Sequence, residues 1–275
     1  MTLSTIRNNP AKQKKVKTKK QKAIAATCAV AFWLLVWHVV SLCVGSELVL
    51  VSPVKVVQTL FTVIFDPDFL KTVWYSAARI LGGFFTALTL GTVLGWVASR
   101  FWVVETLLRP ITAIIKATPV ASFIILVLLW FSGKNLSVII SMLMVFPVIY
   151  MNVLEGIRSA DEKLLEMAQV FRLSVSKKLL YIYLPAVAPF FVSACSVSLG
   201  LCWKSGIAAE VIGTPDGSIG AVFYQAKIFL QTSELLAWTV VVVAVSVAFE
   251  KLFMLLLRLV LKKLKMEDVL NGKRA

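Results

Sequence analysis

Apolar residues run almost unbroken through six stretches, about 23–44, 76–98, 111–131, 136–154, 186–211 and 235–260. Each is close to the ~20 residues a helix needs to cross ~30 Å of hydrocarbon. The runs are too long and too evenly apolar for barrel strands, so the pattern predicts six helical spans. Pro119 interrupts the third run and Pro147 the fourth. Prolines inside spans survive where neighbours satisfy the freed carbonyls, and they mark bends. Gly91 and Gly95 form a G-x-x-x-G pair in the second run, which lets another helix approach closely. Ser52-Pro53 has the order of an N-cap followed by a first-turn proline. With Val56, Val57, Leu60 and Ile64 on one face, it predicts a short interfacial helix that ends at Asp66-Pro67-Asp68.

One polar segment between spans is long, Asp161 to Pro185. Leu164, Leu165, Ala168, Phe171 and Leu173 give it a helical apolar stripe. Ser174 is placed to N-cap a second short helix carrying Leu179, Leu180, Ile182 and Leu184, which Pro185 would end. A helix–turn–helix at one membrane face is therefore expected. The segment Gly213-Thr214-Pro215-Asp216-Gly217-Ser218-Ile219-Gly220 reads as a turn-rich loop between the fifth and sixth spans. It is not a phosphate cradle, because it lacks a Gly-Lys-Ser/Thr ending and no strand precedes it.

Composition supports the membrane reading. Of 275 residues, 59% are hydrophobic, more apolar surface than a soluble chain of this size can hide. The net charge of +15 would suggest nucleic acid in a soluble protein. Here the charge is segregated instead. The N-terminus, the 99–116 turn, the 155–185 loop and the tail from Lys251 hold 8, 3, 5 and 7 Lys/Arg residues, 23 of 29. The positive-inside rule makes that side cytoplasmic, with both ends inside and no nucleic-acid partner needed. Residues 1–22 and 263–275 are expected to be basic cytoplasmic tails flanking a transmembrane domain at 23–262. A tail as charged as 1–22 is expected to be disordered and to meet anionic lipid.

Chemistry-bearing residues are few. Cys28, Cys43, Cys195 and Cys202 all fall in apolar runs without metal-ligand spacing. His38 is the sole histidine, so neither a metal site nor a cofactor site is expected. A membrane enzyme would need a cluster of acids, histidines or cysteines near the interface, which is missing. A stand-alone secondary transporter would show matching inverted halves, and none is visible. Charge inside a span costs about 2.5–3.5 kcal/mol, so ionisable residues there face a cavity or a partner. Arg79, Lys204 and Glu210 lie towards the outer side, and Glu250 near the inner end of the last span can snorkel beside Lys251. Lys204 and Glu210 are six residues apart and do not share a helix face. Two arrangements remain open: an Arg79–Glu210 ion pair closing an outer gate, or a cationic substrate path made by Arg79 and Lys204.

The polar segment resembles the EAA loop of ABC-importer permeases. Glu166, then Ala168 two residues later, then Ile182, Leu184 and Pro185 stand at the motif's positions. The family's glycine, six residues after the glutamate, is Arg172 here. Glycine there would allow a left-handed turn, and arginine costs roughly 1 kcal/mol more for that backbone. Either the turn has another shape or a partner contact absorbs the cost. Lys116-Ala117-Thr118-Pro119-Val120-Ala121 leading to Trp130-Phe131 and Gly133, and Phe146-Pro147 leading to Asn152 and Glu155-Gly156, resemble the nitrate/taurine/sulfonate branch. Ile124 departs from it, standing where that branch has a second proline. The resemblance covers roughly residues 50–262. It implies an all-α, six-span, type I importer fold in the cell membrane and a loop, 155–185, that docks on a cytoplasmic ATP-binding subunit. It further implies a second permease chain and an extracytoplasmic solute-binding protein. The solutes of this branch range from sulfonates to vitamin precursors.

Overall fold

The computed structural model describes residues 19–264. Every regular element among them is helical. The chain divides into two units, Met1–Lys55 and Val56–Ala275.

The first unit carries helix α1, Lys19–Val44. Its apolar part, Ile24–Val44, is 21 residues long, enough for one crossing. Gly45 ends it with φ +65°, its N–H bonded to the Ser41 carbonyl at 3.2 Å. Glycine takes this left-handed backbone without a Cβ clash. Because α1 starts at Lys19, the last residues of the expected N-terminal tail are helical. The rest of that tail, and the C-terminal tail beyond 264, lie outside the described residues. Helix α2, Pro53–Ile64, crosses the division between the units. It starts as expected, with the Lys55 amide donating to Ser52 Oγ at 3.4 Å. Just beyond it the Asp68 amide donates to Asp66 Oδ1 at 2.8 Å, turning the chain.

In the second unit the elements are α3 (Phe69–Arg100), α4 (Trp102–Ala117), α5 (Val120–Leu128), α6 (Gly133–Arg158), α7 (Glu162–Val170), α8 (Val175–Lys178), a π-helical turn Leu179–Tyr183, α9 (Leu184–Gly213), α10 (Ile219–Ile228) and α11 (Thr232–Lys263). The centre is the triplet α3, α6 and α9. Its core includes the fully buried Ile80, Phe84, Ile149, Leu199, Cys202 and Trp203. Small residues set the spacing. A Cβ on Gly91 would fall 2.9 Å from the Ile149 Cβ, and one on Gly95 would fall 3.0 Å from the Tyr150 carbonyl oxygen. The G-x-x-x-G pair thus seats α3 against α6, as its spacing implies. At the polar end, Arg158 at the end of α6 forms an ion pair with Glu105 in the first turn of α4.

Two expectations are corrected here. The third span is not one helix over 111–131, nor is 99–116 a turn. α4 and α5 are separate helices meeting at 105°. Pro119 explains the break: it disfavours helical backbone at the residue before it, and Thr118 is extended at φ −81°, ψ 134°. Five helices are long and apolar enough to cross, and six if this bent pair is one broken span. The connection after α9 is also more than a loop, since it contains α10. Ser218 caps that helix by accepting from the Ala221 amide at 3.0 Å.

Candidate functional site

The polar segment folds as a hairpin. Asp161 caps α7, its side chain accepting from the Lys163 amide at 2.9 Å. α7 ends with Arg172 at φ +50°. The Leu173 amide bonds the Ala168 carbonyl at 2.9 Å and the Arg172 amide bonds the Gln169 carbonyl at 3.0 Å. This 6→1 and 5→2 pairing is a Schellman motif. The turn therefore has the left-handed shape a glycine would favour, with arginine in that position. Leu173 then packs over the buried Ala168 and Ile182. Ala168 has no exposed surface, which explains a small residue there: a longer side chain would push the two arms apart.

The second arm departs from expectation in two ways. Ser174 has N-cap backbone geometry but no side-chain capping bond. Pro185 does not end the helix; it lies inside a continuous helical path from Val175 to Gly213. Proline lacks an N–H and its ring crowds the carbonyl four residues back. The backbone relieves this just before it by widening, with the Leu184 amide bonding the Leu179 carbonyl in the π-helical turn. Glu166 is exposed on α7. So are several apolar side chains: Val170 (78%), Phe171 (71%) and Val175 (80%) lie at the hairpin tip. The expected stripe is thus split. Leu165 and Ala168 face inward, while Leu164 and Phe171 face out.

Glu210 is fully buried on α9. Of the two arrangements left open, the Arg79–Glu210 ion pair is not among the ion pairs of the described residues. Instead, Ser76 on α3 donates its hydroxyl to Glu210 Oε2 at 2.6 Å. The Gly220 amide approaches the same oxygen at 3.4 Å, and the Ile219 amide donates to Ser76 Oγ at 2.9 Å. The carboxyl group therefore sits over the first turn of α10, where free N–H groups and the helix dipole favour negative charge. Gly220 makes this possible, since any Cβ there would collide with Glu210 itself. Arg79 lies one turn beyond Ser76 on α3, its guanidinium over the Tyr75 ring at 4.4 Å from the centroid. Lys204 is exposed, on a different face of α9 from Glu210, and makes no ion pair among the described residues. Glu250 does not merely snorkel beside Lys251; it accepts from Ser196 Oγ at 3.0 Å, linking α11 to α9. Ser76 was not legible as a site residue in the sequence, because it meets Glu210 across 134 positions, and Gly220, ten positions from Glu210, read as part of a turn-rich loop.

Five or six apolar spans and a structured polar hairpin define a polytopic helical membrane protein. A sequence model of the binding-protein-dependent transport system inner membrane component family matches residues 87–266, and the chain belongs to that family. It is the membrane-spanning permease subunit of an ATP-binding-cassette importer, with the type I permease fold. Such a subunit works with ATP-binding and solute-binding partners and sits as a multi-pass protein in the inner membrane. The chain is similar to the putative aliphatic sulfonates transport permease protein SsuC of Bacillus subtilis, at 29% identity over 83% of each chain. The taurine transport system permease protein TauC of Escherichia coli is 27% identical over 78% of this chain and 80% of its own. The nitrate import permease protein NrtB of Synechocystis is 25% identical over 74% and 76%. These relatives are transport permeases rather than enzymes.

Proposed function

We propose that this permease imports a small oxyanion-bearing solute, in the range spanned by sulfonates, taurine and nitrate, as part of a homodimer whose termini and hairpin face the cytoplasm. The relatives' names support the solute class, and the charge asymmetry supports the orientation. The permease domain spans 23–262, between two basic cytoplasmic tails, the N-terminal of which meets anionic lipid.

The observation that carries the mechanism is the hairpin tip. A buried pair, Ala168 and Ile182, and a Schellman turn at Arg172 hold it rigid, yet Val170 and Phe171 at its tip and Val175 at the start of the next helix are exposed. An exposed apolar cluster rimmed by polar residues is a protein-docking surface. The ATP-binding subunit docks there, with Glu166 accepting charge-assisted hydrogen bonds from its basic groups. Leu184 and Pro185 continue the hairpin into α9, so a push on the tip reaches the core triplet as a rigid-body movement. Arg79 and Lys204 are the cations left for an anion path, since the α10 N-terminus and Ser76 occupy Glu210. Glu166→Lys should leave the chain inserted while uptake and co-purification of the ATP-binding subunit fall together. Normal solute uptake by that variant in membrane vesicles would overturn the docking role.

A further inference from the structure

An open cavity of about 430 Å³ lies at the root of the hairpin, and no part of the proposed transport mechanism uses it. Its walls come from Thr92 and Trp96 on α3, Val153 on α6, Leu180 and Tyr183 at the π-helical turn, and Val187 on α9. The lining is almost wholly apolar. Such a lining offers water no hydrogen-bond partners, whereas an acyl chain needs none. Its depth is fixed by the helix ends. Thr92 is eight residues before Arg100, the last residue of α3, or about 12 Å along the axis. Trp96 packs edge-on against Tyr183 with ring centroids 5.5 Å apart, the kind of aromatic pair that marks the boundary between headgroups and acyl chains. The rim is open, with Trp96 39% and Leu180 40% exposed. Lys177 and Lys178, at the end of α8, lie in the chain between the lining residues Ser176 and Leu179. Neither is in an ion pair among the described residues.

We propose that this cavity binds an anionic glycerophospholipid, with one acyl chain in the apolar cleft and the phosphate on Lys177 and Lys178. Depth, apolar walls and unpaired cations at the polar rim match the two halves of such a lipid. The same walls contain the π-helical turn that joins the docking hairpin to α9. A seated chain would therefore brace that joint and stiffen the hairpin against the bundle. The inference needs only the placement of the hairpin at a membrane face, not its docking role.

The test uses the full-length permease, reconstituted in its transporter, in vesicles containing phosphatidylglycerol with a photoactivatable group in one acyl chain. Mass spectrometry should place the label on peptides covering 153–157 and 176–187. Leu180→Trp narrows the cleft from its exposed rim and should reduce that labelling. Lys177→Glu with Lys178→Glu should reduce it about thirtyfold or more, since each interfacial cation contributes about 1 kcal/mol. A phosphatidylcholine probe with the same chain should be insensitive to the lysine changes. The lysine pair is at the surface, so its readout does not depend on repacking the core. Label spread evenly over the lipid-facing helices and unmoved by either variant would overturn the proposal. So would a disulfide from Leu180→Cys to a second copy of this chain or to an ATP-binding subunit, because protein would then fill the cleft.

Discussion

At the scale of single residues, the two informative positions are those where a side chain is held against its own preference. Glu210 is a carboxyl group placed without exposure among helices, and its partners are a hydroxyl and a helix terminus. Removing one partner of a buried hydrogen bond leaves the other unsatisfied, at a cost of about 1–3 kcal/mol. Ser76→Ala and Glu210→Gln should each lower the thermal stability of the purified complex, and a double-mutant cycle should show them coupled. Arg79→Gln combined with Glu210→Gln should couple more weakly than the Ser76 pair, since the Arg79 charge acts on Glu210 without a direct bond. Strong coupling in that second pair would reinstate an ion-pair gate. Arg172 is the other case. Its left-handed backbone costs an L-residue roughly 1–2 kcal/mol, so Arg172→Gly should raise stability and leave uptake intact. A loss of uptake would mean that the guanidinium itself contacts a partner.

Among the elements, the hairpin stands apart because its caps and turn are set locally. Asp161 starts α7, the Schellman turn closes it, and Ala168 against Ile182 fixes the angle between the arms. Overpacking such a contact costs about 1–3 kcal/mol. Ala168→Leu should therefore spread the arms, leaving membrane insertion unchanged but abolishing stimulation of ATP hydrolysis by solute. ATPase assays on the reconstituted transporter check this, and unchanged stimulation would show that the angle does not matter. Continuity from α8 through the π-helical turn into α9 is what makes the hairpin angle consequential, since no loop intervenes to absorb a movement.

For the whole molecule, the test is topology. With native cysteines replaced, Gln169→Cys should be shielded from an impermeant thiol reagent added outside intact cells, while Pro67→Cys and Gly217→Cys should react. Reaction at residue 169 from outside would place the hairpin on the wrong side for an ATP-binding subunit.

The sequence by itself determined the helical class, six crossings and the hairpin. These depend on local period, length and capping, which neighbouring residues settle among themselves. It also marked a face of α3 for close approach, because Gly91 and Gly95 fall on one helix face, but the structure supplied α6 as the partner. The left-handed turn at Arg172 was marked by the resemblance, though its shape stayed open. Tertiary structure alone decided the partners of Glu210, the bend between α4 and α5, and the existence of α10. A buried carboxyl group takes whichever donor the packing brings near, and Ser76 lies 134 residues away in sequence. Pro119 announced an interruption, but its 105° angle follows from what α5 packs against, namely α6 and α9. α10 is ten residues long, too short to be stable alone. Its first turn holds because Glu210, Ser76 and Ser218 accept its free N–H groups, a condition that exists only once α3 and α9 are side by side.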